Sequence, residues 1–128
     1  MVESVSTDEA PVNEDLPFSQ AIVHGDTVYV SGQVGIDPET GDVVDGGIQA
    51  ETRRTMANVG AILEAAGTSL ENVVKTTVFL DDVDDFAAFN EAYGEFVDDP
   101  LPARSAFEVG DLAIDIAVEI EVIAALPE

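Results

Sequence analysis

Cysteine is absent from this chain. Its absence excludes disulfides and thiolate metal sites and leaves carboxylates and a single histidine, His24, as possible metal ligands. Positive charge is almost as scarce. One lysine, Lys75, and three arginines, Arg53, Arg54 and Arg104, stand against 27 acids, giving a formal net charge of −23 and a pI near 4.1. Affinity for a phosphate backbone comes mainly from Lys and Arg, and no basic patch exists to supply it, so nucleic acid is excluded as a natural partner. No apolar run approaches the ~20 residues of a membrane-spanning helix. The opening Met1-Val2-Glu3-Ser4-Val5 lacks the basic and apolar regions of a secretion signal, and the expected location is cytoplasmic, with no membrane partner. His24 lies in His24-Gly25-Asp26, which reads as the turn of a hairpin, so it is expected as an exposed turn residue and not as a ligand.

What remains is well suited to folding. With 128 residues, 46% of them hydrophobic, the chain can bury one real core. Its acids run from Glu3 to Glu128, and their mutual repulsion opposes the compact state unless salt screens it. The composition reads as a halophilic adaptation to a salt-rich cytosol. Residues 1–15 are polar and acidic without a period and read as a loose arm, with a single domain over 16–128.

Within that domain the hydrophobic periods assign elements. Residues 21–23 and 27–31 form an expected hairpin, with Val28 and Val30 on one face and Thr27, Tyr29 and Ser31 on the other. Asp37-Pro38-Glu39-Thr40-Gly41 is a turn. Ile48, Thr52, Met56, Val59, Leu63 and Ala66 recur at steps of three or four and mark a helix ending at Gly67. Residues 73–80 are rich in β-branched side chains and read as a central strand. The acids of 81–85 suit a helix start, after which Phe86, Phe89, Tyr93 and Phe96 form a second stripe, read as core and not as a stacking platform. The last strand, 114–125, alternates Ile114, Ile116, Val118, Ile120 and Val122 with Asp115, Ala117, Glu119 and Glu121. Two helices cover only one face of a five- or six-stranded sheet. The other, half-apolar face predicts a closed homo-oligomer with Glu119 near a subunit boundary.

Arg104 is the only Arg or Lys after Lys75. It follows the Pro-rich turn Asp98-Asp99-Pro100-Leu101-Pro102 at the mouth of a short strand, where a planar guanidinium can meet a small carboxylate in bidentate fashion. The bland alternative is a surface ion pair with Glu108 or Asp111.

Pro17-Phe18-Ser19-Gln20-Ala21, Ser31-Gly32-Gln33, Asp37-Pro38-Glu39-Thr40-Gly41, Glu64-Ala65-Ala66-Gly67, the stretch 72–80, Pro102-Ala103-Arg104-Ser105 and Glu119-Ile120-Glu121 together resemble the RidA/YjgF family of reactive-intermediate deaminases, in order and over nearly the whole chain. The resemblance implies an α+β, chorismate-mutase-like fold with a mixed six-stranded sheet and two helices on one face. It also implies a homotrimer with clefts between subunits, and hydrolysis of 2-imino and enamine acids such as 2-iminopropanoate and 2-iminobutanoate to 2-oxo acids and ammonia. These imines leak from pyridoxal-phosphate enzymes. The implied partners are small 2-imino or 2-oxo carboxylic acids, with no cofactor and no metal.

Carried over by motif, Arg104 matches the family's carboxylate-binding arginine and Glu119 the glutamate that positions or activates water. Ser31 and Gly32 match the segment lining the cleft, and Asn90 a polar residue near the ligand in some members. The chain departs from the family at Phe18, often Tyr, and at Ala106, often Cys. The missing hydroxyl at position 18 is the larger difference, since it could hold water. Arg104 would hold the substrate carboxylate while Glu119 positions the attacking water, and Glu121 is left as structural. Two other readings compete: a non-catalytic trimer that senses small carboxylates through the same cleft, and an RNA-directed nuclease, which conflicts with the charge balance.

Overall fold

A computed structural model describes residues 2–128. Six strands, β1 (Val2–Val5), β2 (Ala21–His24), β3 (Thr27–Gln33), β4 (Val73–Leu80), β5 (Ala103–Glu108) and β6 (Val118–Ala125), form one sheet in the order β1-β2-β3-β6-β4-β5. All neighbours are antiparallel except β4 and β5, which are parallel. The crossover between that pair carries the short helix α2 (Phe86–Tyr93), and the long helix α1 (Gly47–Ala66) joins β3 to β4.

Helix α1 forms where the apolar period predicts it. Thr52, Met56, Val59 and Leu63 are buried, together with a second stripe of Glu51, Thr55, Asn58 and Ile62. It stops at Gly67, whose positive φ of 95° lets the Gly67 N–H reach the Glu64 carbonyl at 3.0 Å while the Thr68 N–H reaches the Leu63 carbonyl at 2.9 Å, the paired bonds of a Schellman ending. Val28, Val30, Val78, Leu80, Val118, Ile120, Val122 and Ala124 point from the sheet into the core with Met56, Ile62 and Phe89. At about 25 cal/mol per Å² of apolar area removed from water, such a layer is the main stabilising contribution. Asp82 starts the connection into α2 by accepting the Asp84 N–H at 2.9 Å.

Two sequence expectations fail. Of the arm expected over 1–15, Met1 lies outside the described residues, and residues 2–15 are not loose. Strand β1 extends the sheet edge, Ala10 is fully buried, and the Gln20 side chain accepts the Thr7 N–H at 2.7 Å while donating to the Thr7 carbonyl at 3.0 Å and the Pro11 carbonyl at 2.8 Å. Main-chain pairing and one buried amide hold the segment, neither of which needs an apolar period. The last strand begins at Val118, not at 114. The Ala117 N–H is taken at 2.8 Å by the buried Glu51 carboxylate of α1, which ends the ladder, and Ile114 is left exposed in the preceding loop.

Among the described residues no helix is long and apolar enough to cross a membrane.

Candidate active site

Strand register decides which side of the sheet each candidate faces, because side chains of paired residues share a face. Arg104 pairs with Thr76 and Ala106 with Val78, and both partners are buried beneath the helices. Arg104 and Ala106 therefore lie on the helix side. Ser105 and Phe107 pair with Thr77 and Phe79 on the open side. Phe79 also pairs with Glu119 across β6, so Glu119 lies on the open side too. Arg104 and Glu119 thus lie on opposite faces of the sheet and do not meet within one chain, so each is a separate candidate half-site.

The first half-site is the guanidinium. Arg104 donates from Nη1 to Asn90 Oδ1 at 2.7 Å, so the structure brings these two predicted residues together. Its Cζ lies 5.5, 5.7 and 5.3 Å from the ring centroids of Phe86, Phe89 and Tyr93, within cation–π range. Phe89 and Tyr93 are core, as the stripe predicts, but Phe86 is 39% exposed. The reading of these aromatics as core alone is thereby corrected. Their spacing along a helix gave no sign that an arginine from another element would sit among them. Among the described residues Arg53–Glu95 is the only ion pair, at 2.8 Å on the surface. Arg104 has no carboxylate partner, and the alternative pairing with Glu108 or Asp111 is not made. Glu108 instead accepts the Val83 N–H at 2.8 Å.

The second half-site is built on a β-bulge. Val30 pairs with Val122 and Gln33 with Ile120, so Ser31 and Gly32 together stand opposite the single Glu121. The Ser31 hydroxyl donates to the Ser19 carbonyl at 2.6 Å, and the Ser31 N–H to the Gln20 carbonyl at 2.9 Å, which fixes this strand beside the segment carrying Phe18. Glu119 leans over Gly32. A Cβ at position 32 would overlap its Oε2 and approach its Cδ to 2.9 Å, so only glycine leaves the carboxylate this place. Half-buried, Glu119 has its pKa raised by loss of hydration and, secondarily, by the Glu121 charge. Phe18 is 47% exposed next to Ser19, with no hydroxyl to offer.

Glu51 is the residue that sequence reasoning missed. Burial raises its pKa, the Ala117 N–H opposes that rise, and Asp115, Asp85 and Asp81 add to it. It anchors the chain two residues before Glu119. An acid on the buried stripe Glu51-Thr55-Asn58 was the available signal. His24 is exposed at the β2–β3 turn, and no cluster of three or more potential ligands capable of holding a metal occurs among the described residues.

The profile of the family described as endoribonuclease L-PSP matches residues 8–126. A RutC family protein of Pyrococcus horikoshii is 48% identical over 124 residues, spanning 97% of this chain and 98% of that protein. The mouse protein named 2-iminobutanoate/2-iminopropanoate deaminase is 47% identical over 120 residues, 94% of this chain and 87% of its own length. The crystal structure of E. coli TdcF with bound serine superposes with a TM-score of 0.90 at 35% identity, covering 98% of this chain and 99% of that one.

Proposed function

This chain belongs to the endoribonuclease L-PSP family, the RidA/YjgF group that its motifs resemble, and from that premise we propose that it is a hydrolytic deaminase of small 2-imino and enamine acids, yielding 2-oxo acids and ammonia. The observation that carries the reading is the unpaired Arg104: in a chain with 27 acids, its guanidinium sits against Asn90 and aromatic rings with no carboxylate on it. A substrate carboxylate would take that place through charge-assisted hydrogen bonds. Two relatives add support. The mouse protein's name specifies 2-iminobutanoate and 2-iminopropanoate, and TdcF holds serine, which like an imino acid carries a carboxylate beside a nitrogen-bearing carbon.

The half-sites become one when two copies pack so that the open face of one protomer, carrying Glu119, Ser31 and Gly32, meets the Arg104 mouth of the next. A closed trimer makes three such clefts. The half-apolar open face, with Tyr29 and Phe107 each nearly half exposed, favours such packing. In the cleft Arg104 and Asn90 hold and orient the substrate. Ionised Glu119 takes a proton from water as the water oxygen bonds to the iminium carbon, and returns it to the nitrogen of that adduct. It then takes the hydroxyl proton as the C=O forms and the C–N bond breaks, and the proton leaves with ammonia as ammonium, which restores the carboxylate. Phe18 and Ala106 would line the cleft without taking part in proton transfer. Imines already hydrolyse in water unaided, so general-base help of about 10²–10⁴-fold suffices. Four cations give no phosphate-binding surface for the ribonuclease activity of the family's description.

The test follows 2-iminobutanoate, generated in place by a dehydratase, against its uncatalysed decay. Glu119 is a base only when ionised, and its pKa lies above the ordinary 4.5. Activity is therefore full above the raised pKa and falls as pH drops through it, earlier than an ordinary carboxylate would dictate. Glu119→Gln should abolish this limb and slow turnover about 10²–10⁴-fold. A Gln variant with the wild-type rate and pH profile would exclude Glu119 as the base. Binding of 2-oxobutyrate with no effect on imine lifetime would leave a carboxylate sensor.

A further inference from the structure

We propose that Phe86, backed by Phe89 and Tyr93, is a positioning residue that holds the Arg104 guanidinium in one orientation, so that a single edge of its fork faces the ligand. This rests on the reading of Arg104 as the carboxylate receptor. The three rings surround Cζ at 5.3–5.7 Å, and their own positions are fixed from behind. Tyr93 is 5% exposed and its hydroxyl donates to Thr76 Oγ1 at 3.0 Å, on the residue paired with Arg104 in the β4–β5 register. Phe89 is fully buried and stacks on Tyr93, ring centroids 5.3 Å apart at 25°. Asn90 occupies Nη1. Nε and Nη2 then remain as parallel donors without a partner among the described residues, the geometry that a carboxylate accepts in bidentate fashion.

Phe86 is the informative member. The first residue of α2, it is 39% exposed, and burying its ring against the core does not account for its place over the cation. An arginine side chain carries large rotamer entropy, and ordering it before the ligand arrives removes that cost from binding. The ring therefore acts on affinity through Arg104, without touching the reacting atoms.

Phe86→Leu retains an apolar side chain and removes the π face, and Phe86→Tyr keeps the ring. By calorimetry in molar KCl, the Kd for 2-oxobutyrate should rise about threefold to tenfold in Phe86→Leu, the value of one ordered side chain, and return close to wild type in Phe86→Tyr. In the imine assay the loss should fall on KM and not on kcat. The Arg104 Nε–H resonance, displaced by ring currents in the wild type, should move toward its free-arginine position in Phe86→Leu and not in Phe86→Tyr. An unchanged Kd, or an unmoved Nε–H resonance in Phe86→Leu, would overturn the proposal. Failure of the wild type to bind 2-oxobutyrate would overturn the carboxylate reading itself and with it the ligand-facing half of this one. The resonance alone then decides whether the ring holds the cation.

Discussion

Arg104→Ala should reduce kcat/KM for 2-iminobutanoate by about 10²–10⁴-fold and raise the Kd for 2-oxobutyrate comparably. Two charge-assisted hydrogen bonds contribute roughly 1.5–3 kcal/mol each, and every 1.4 kcal/mol is tenfold. The fold should survive, because Arg104 contributes no ion pair and the ladder of β5 is main-chain. Arg104→Lys should recover only a minor part, since an ammonium is a point charge without the planar fork and cannot share Asn90 and a carboxylate in the same geometry. Melting curves and calorimetry of the three proteins, taken at one salt concentration, make the check. Wild-type affinity in Arg104→Ala would remove the anion site from the account.

Stability should depend on salt as steeply as activity depends on Arg104. A formal charge of −23 on 128 residues, with one ion pair among the described residues, leaves repulsion that almost nothing in the fold offsets. Raising ionic strength from 0.1 M to 1 M shortens the Debye length from about 10 Å to about 3 Å. Screening worth roughly 3 kcal/mol would raise Tm by about 10–15 °C for a chain of this size. Subunit association should strengthen in parallel, since every copy carries the same charge. Thermal melts across a KCl series check this. A flat Tm would show that the acids are solvated without strain and that the composition is not an adaptation to salt.

The contrast between what the sequence revealed and what it hid has physical reasons. Helix α1, its Gly67 ending and the alternation of β3 and β6 were readable because burial of one face imposes a period of its own on each element. Arg104 and Glu119 stood out by composition and strand position. Their placement on opposite faces was hidden, since it depends on the parallel register of β4 and β5 and on the pairing of β6 between them, which no local period encodes. The bulge at Ser31-Gly32 was hidden for the same reason: it appears only when the partner strand is counted. Strand β1 escaped notice because an edge strand with four outward or half-covered side chains, Val2–Val5, carries no alternation to detect. The role of Phe86 escaped because its spacing fits a core stripe, and what turns it toward the cation is an arginine fourteen residues beyond Asn90 in the chain.

Separation of the two half-sites within one protomer makes the shared cleft the central claim, and mixing inactive subunits tests it. Arg104→Ala and Glu119→Gln, each inactive alone, should recover activity when co-assembled at equal amounts in high salt, to about one quarter of wild type for random closed rings. In such rings some clefts receive Arg104 from one subunit and Glu119 from another. Mixed oligomers verified by native mass and still without imine hydrolysis would contradict a site shared between copies.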